Sequence, residues 1–143
     1  MPKSAKEIAT ELEEAWSQGP LKGIKVLGSM AADKINVTHV PPVSIDGIMD
    51  GKAWAESMQQ LYEGTLQRTI SGFEQKVTCT VNGDVIQSAN IFKGTLKDGT
   101  RLNHCVDGLM TVKGGKIVNA VTIYNDERES WASLVKAMDI PAA

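Results

Sequence analysis

Residues that usually mark a site are scarce in this chain. Its 143 residues include two histidines, His39 and His104, and two cysteines, Cys79 and Cys105. Their spacing matches no zinc pattern, so no metal is expected. No glycine-rich turn leads from a strand into a helix and no serine sits on a nucleophile elbow, so no nucleotide site or other cofactor is expected either. Lysine and arginine number 15 against 17 acidic residues, with no basic run, which argues against nucleic acid as a partner. No apolar run approaches the ~18 residues of a membrane span. The opening MPKSAKEIATELEE is acidic and amphipathic, unlike a signal peptide. A cytoplasmic protein with reduced core thiols, no membrane and a single domain over 1–143 is the expectation.

What the chain does have is pattern. Ser4 and Glu7 form a capping box, after which Ile8, Leu12 and Trp16 share one helical face. Gly19-Pro20 interrupts that helix and Pro20 suits the first turn of a second, carrying Leu21, Ile24, Leu27 and Met30. Gly23 and Gly28 weaken this second helix and suit a close approach by another element. A β-branched strand over 34–40 stops at Pro41-Pro42. A third helix, capped by Asp50 and stapled by Met49 and Trp54, carries Trp54, Met58, Leu61 and Tyr62 on its buried stripe.

From Phe73 the period falls to two. Strands over 75–81, 85–96, 101–112 and 117–124 are joined at Asn82-Gly83, Asp98-Gly99 and Gly114-Gly115, which makes an antiparallel meander. Asp126 and Glu129 then open a short helix with Trp131, Leu134, Val135 and Met138. Helices segregated to one face of such a sheet define an α+β domain. A bent sheet closed by helices leaves an apolar cavity for a ligand, and its outer face, carrying Val, Ile and Thr, calls for a homodimer partner.

This layout resembles the nuclear transport factor 2-like superfamily, which includes SnoaL-like polyketide cyclases, ketosteroid isomerases and limonene-1,2-epoxide hydrolases. The likeness is sharpest in GKIVNAVTIYNDERESWASLVKAMDIP, which is similar to the close of the epoxide hydrolases. It implies a cone: a curved antiparallel sheet wrapped by three N-terminal helices and a short C-terminal one. Aligned on "GKI", the hydrolases' last-strand aspartate falls on Thr122. Their Arg-x-Asp pair falls near Ala89 and Ile91, with Asn90 between, and their tyrosine and asparagine near Asn36 and Thr38. None of those ionisable groups is present, and Thr122 cannot act as a general base near neutral pH. The cyclases' acid–base aspartate also falls near Thr122. The isomerase pattern survives in altered form. Its base position falls on His39, its protonated acid on Asp107 and its first-helix tyrosine near Trp16, whose indole N–H donates but exchanges no proton usefully.

His39 is therefore the leading catalytic candidate, because imidazole exchanges protons near pH 7; the competing reading is a residue that only closes a strand end. Asp107 and His104 are the other catalytic candidates. They have opposite parity on one strand, so only one faces the cavity unless a bulge intervenes. An inward Asp107 would be a proton donor of raised pKa, and an outward one a sheet-surface charge. Trp16, Trp54, Met58, Met110, Thr122 and Tyr124 are the expected ligand-binding wall. Two functions stay open: cofactor-independent isomerisation, cyclisation or hydrolysis of a small hydrophobic substrate, or non-catalytic binding of such a ligand or a partner.

Overall fold

The computed structural model describes residues 2–40, 42, 46–99 and 101–124, apart from the side chains of 61, 62, 64–70, 92, 102, 104 and 124. Within that range the order is α1 (Ala5–Ser17), α2 (Pro20–Ser29), β1 (Ala31–Val40), β2 (Gly47–Asp50), α3 (Gly51–Arg68), β3 (Thr69–Asn82), β4 (Val85–Leu96), β5 (Arg101–Lys113) and β6 (Lys116–Tyr124). The expected helix after Asp126 lies outside the described residues.

Local chemistry accounts for most boundaries. Ser4 Oγ accepts the Glu7 N–H at 3.2 Å and Glu7 Oε1 accepts the Ser4 N–H at 3.2 Å, so the capping box closes α1. Pro20 occupies the first turn of α2. Gly114 and Gly115 have φ of 58° and 77°, the paired positive values of a two-residue type I′ turn. The two helical glycines mark close packing: a Cβ at Gly23 would stand 2.2 Å from Trp16 Cδ2, and one at Gly28 would stand 2.5 Å from Ala55 Cβ.

Among the described residues six strands form one sheet in the order β2-β1-β6-β5-β4-β3. The meander β3 to β6 is antiparallel, as its turns predict. Two features differ from the expected sheet. β1 pairs in parallel with β6, which makes the sheet mixed, and the four-residue β2 adds an edge. β2 is too short to show a period, and the β1–β6 pairing joins segments some eighty positions apart, beyond the reach of local pattern. β3 begins at Thr69, ahead of the expected start, because its first turns pair with the end of β4 through register shifts.

Strand parity then fixes the two faces. Ile35 and Val37 of β1, Ala120 of β6, Met110 of β5 and Ile86 of β4 are all buried on the inner face, against Ile8 and Leu12 of α1, Leu27 of α2 and Trp54 of α3. The three helices thus cover one side of the sheet, the α+β arrangement. The other side carries Leu109, Ile91, Val40 and Ile48, which remain 36%, 42%, 48% and 78% exposed.

Candidate functional site

The registers trace rows across the inner face. Val37, Ala120, Met110, Ile86 and Val81 align laterally and form an apolar floor. One step along the strands, His39, Thr122, Gly108, Ser88 and Cys79 align in the same way. These five are only half-buried, so a shelf of small polar groups borders the floor.

His39 ends that shelf, and the chain returns to hold it. β2 runs antiparallel to β1, and its Gly47 pairs with Val37. Asp46 therefore arrives beside His39. Asp46 Oδ2 accepts the His39 backbone N–H at 3.1 Å, and Asp46 Oδ1 lies 2.5 Å from His39 Nδ1. The two side chains are only 13% and 20% exposed. An ionised carboxylate can only accept, so Nδ1 carries the proton and Nε2 carries the ring's lone pair when the imidazole is neutral. Sequence reading selected His39 and missed Asp46. The available signal was a single aspartate between Pro42 and the next apolar pair.

Asp107 falls on the other side. It pairs with Ala89 and Ile123 on the outer face, opposite in parity to Met110 and Gly108. The sheet thus separates Asp107 from His39, which corrects the expectation that the two meet across a cavity. Ala89 and Ile91, aligned with the hydrolase pair, share that outer face. The backbone position of His104 has the parity of Val106 and Met110, while its side chain and that of Tyr124 lie outside the described residues.

The expected binding wall divides into core and rim. Met110 and Trp54, 7% and 6% exposed, belong to the buried core, whereas Trp16 and Met58 are partly buried against it. Thr122 lies on the shelf beside His39. Trp16 packs on Gly23, and its buried Nε1–H has no hydrogen-bond partner among the described residues. Cys79 closes the shelf on β3, where Glu13 of α1 accepts its backbone N–H at 2.5 Å. Burial, and secondarily the Glu13 carboxylate, push its thiol up to about 11, so it is protonated and unreactive near neutral pH. Cys105 has outer-face parity, and neither cysteine is in a disulfide.

Elsewhere, a surface depression of about 640 Å³ lies between α2, the start of β1 and α3. It is lined by Lys25, Asp33, Asp50, Lys52 and Glu56 among others. Across its rim Lys34 Nζ bonds Asp50 Oδ1 at 2.7 Å, which lowers the Asp50 pKa. Among the described residues no three His, Cys, Asp or Glu side chains converge as a metal site would need. No helix among them is long and apolar enough to cross a membrane.

Solved structures match this arrangement over most of their length. A protein described as a SnoaL-like polyketide cyclase from Mesorhizobium loti is 25% identical, with a TM-score of 0.61, over 84% of this chain and 98% of that one. An NTF2-like protein from Burkholderia thailandensis superposes with a TM-score of 0.68 at 16% identity, over 93% and 98% of the two chains. This is the nuclear transport factor 2-like fold. An LEH-like epoxide hydrolase of M. tuberculosis shares it at 16% identity and a TM-score of 0.58, covering 92% of each chain. No family model and no curated protein matches the sequence. The nuclear transport factor 2-like fold supports chemistries as different as cyclisation and epoxide opening, so the site must carry the functional argument.

Proposed function

We propose that this chain is a cofactor-independent acid–base enzyme acting on a small, mostly apolar molecule held against the inner sheet face. The observation that carries this reading is the His39–Asp46 pair. Asp46 fixes the imidazole by two contacts, one to its ring and one to its backbone, and stabilises the imidazolium that forms when Nε2 takes a proton. Proton removal by Nε2 and its return to a neighbouring atom constitute an isomerisation. The same base directed at a hydroxyl or at water gives cyclisation or hydrolysis. The half-buried shelf borders this packed apolar core and carries little charge, which suits a mostly apolar ligand.

The route used by the epoxide hydrolases and cyclases is not the one proposed, because Thr122 holds no titratable group near neutral pH. A second reading, binding without catalysis, draws on the rest of the shelf: beyond His39 it offers hydroxyls, a glycine and a protonated thiol. The outer face, with Leu109 and Ile91 exposed, is proposed to bury itself against a second copy under either reading.

An enolisable ketone in deuterated water tests the proton transfer directly. With 2-decalone, NMR should show deuterium entering the α-positions on the order of 100-fold faster with the intact protein than with His39→Ala. Equal rates in the two proteins would overturn the acid–base reading and leave the binding module.

A further inference from the structure

The centre of the shelf is shaped by one missing side chain. Gly108 lies between Thr122 on β6 and Ser88 on β4, all three on the inner face. A Cβ at Gly108 would stand 2.4 Å from Ser88 Oγ and within 3.9 Å of the Val121 carbonyl. The Ser88 hydroxyl is therefore turned along the shelf into the space above Gly108, toward Thr122. Both residues are half-buried rather than free in solvent. Beneath them lie Ile86, Met110 and Ala120, at 0%, 7% and 3% exposure.

From this geometry we propose that Ser88 and Thr122 form a polar cradle over Gly108 that receives one neutral oxygen of the ligand, a ketone or alcohol on an apolar skeleton. Hydroxyls both donate and accept, so either oxygen type is matched. The shelf carries no lysine or arginine, and its one basic side chain is already engaged by Asp46, so an anionic group would enter the half-buried row without a counter-charge. Gly108 and His39 are two strand spacings apart, about 10 Å between Cα atoms. An imidazole reaching inward and a single ligand ring span that distance. The oxygen over Gly108 thus presents a nearby C–H, rather than the oxygen itself, to His39. Ser88 is in this sense a specificity-determining residue, and Gly108 the vacancy that makes room for what it reads. The proposal rests on the ligand site described above and assigns its substrate class.

The test uses the full chain, 2-decalone and its parent hydrocarbon decalin, followed by amide shifts in two-dimensional NMR and by titration. Binding of the ketone should move the Gly108 amide. Ser88→Ala should weaken the ketone about five- to tenfold while leaving decalin unchanged, the worth of one neutral hydrogen bond. Gly108→Ala fills the notch and should weaken both probes. Adding Ser88→Ala to it removes the clash and should recover decalin but not the ketone. Thermal melts establish that each variant is folded, and Ser88→Ala alone suffices if Gly108→Ala does not fold. A Gly108 amide that stays still at millimolar ketone, or equal ketone affinity in Ser88→Ala and the unmodified protein, overturns the cradle. Because the readout is binding, a moving Gly108 amide in a protein that exchanges no α-protons would refute the acid–base reading and not this one.

Discussion

Asp46 holds His39 at two points, through the backbone N–H and through Nδ1 of the ring, although His39 lies near the end of β1 and Asp46 just ahead of β2. One carboxylate thus caps the free end of a strand and sets the tautomer of the side chain there.

Removing that carboxylate should have two separable effects. Asp46→Ala leaves a half-buried N–H without an acceptor and should cost about 1–3 kcal/mol of stability, measured by denaturant titration. It should also release the ring, so that nitrogen NMR shows the Nε2–H tautomer of neutral His39 gaining population. Asp46→Asn keeps one acceptor oxygen and should fall between the two proteins. A tautomer ratio unchanged in Asp46→Ala would remove the orienting role assigned to this residue.

Two glycines make contrasting packing predictions. At Gly51 a Cβ would meet the Ala32 carbonyl oxygen at 2.1 Å, which is backbone and cannot turn aside. At Gly23 it would meet the Trp16 ring at 2.2 Å, and an alanine there regains up to about 1 kcal/mol of helix propensity. Both substitutions overpack, at a typical cost of about 1–3 kcal/mol, and Gly51→Ala should be the worse. Thermal melts of the pair decide the order, and Gly23→Ala should in addition shift the Trp16 indole resonance.

The Cys79 thiol gives an alkaline signature. Its pKa is raised in the fold from 9.0 to about 11, chiefly by burial, so the native state keeps a proton that the unfolded chain releases. That contribution is complete below about pH 9. It is lost progressively as the pH rises toward about 11. Stability measured across this window should fall with rising pH in the unmodified protein and less steeply in Cys79→Ala. Iodoacetamide at neutral pH should leave Cys79 unmodified.

At the acid end Lys34 lowers the Asp50 pKa through a hydrogen bond and its charge. The associated stability is present above pH 3.8 and is lost as the pH falls below it. The pair is exposed on both sides, so added salt should abolish the difference between Asp50→Asn and the unmodified protein.

The outer face offers the oligomer prediction. Light scattering at micromolar concentration should report a dimer. Leu109→Lys, which places a charge at a 36% exposed position beside Val121, should yield a monomer without loss of secondary structure. A monomer before any substitution would refute the pairing.

Local chemistry made a large part of this molecule legible in its sequence. The Ser4–Glu7 cap, the proline start of α2 and the glycine turns of the meander depend on near neighbours, and each lies where its residues demand. The site was legible only in part. His39 stood out as a titratable group ending a strand, but Asp46 becomes its partner through a return of the chain that no period announces. The face of Asp107 stayed open in the sequence, with only the isomerase resemblance turning it inward; in β5 both alternating sets contain apolar members, and the register with β4 and β6 places it on the outer face. Ser88 and Gly108 carry no sequence signal, since their relation exists only across a strand pair.

The parallel pairing of β1 with β6 divides the shelf by origin. His39 and Asp46 come from the N-terminal hairpin, whereas Thr122, Gly108, Ser88 and Cys79 come from the later meander, and His39 meets Thr122 along the one strand junction between those two halves. Closing that junction requires contacts of long sequence separation, which form late and slowly. The site is thus a seam rather than a pocket carved into one folding unit. A chain caught with both halves ordered but unjoined would show nearly full secondary structure and no functional shelf, which makes ligand binding a sharper reporter of native assembly than circular dichroism.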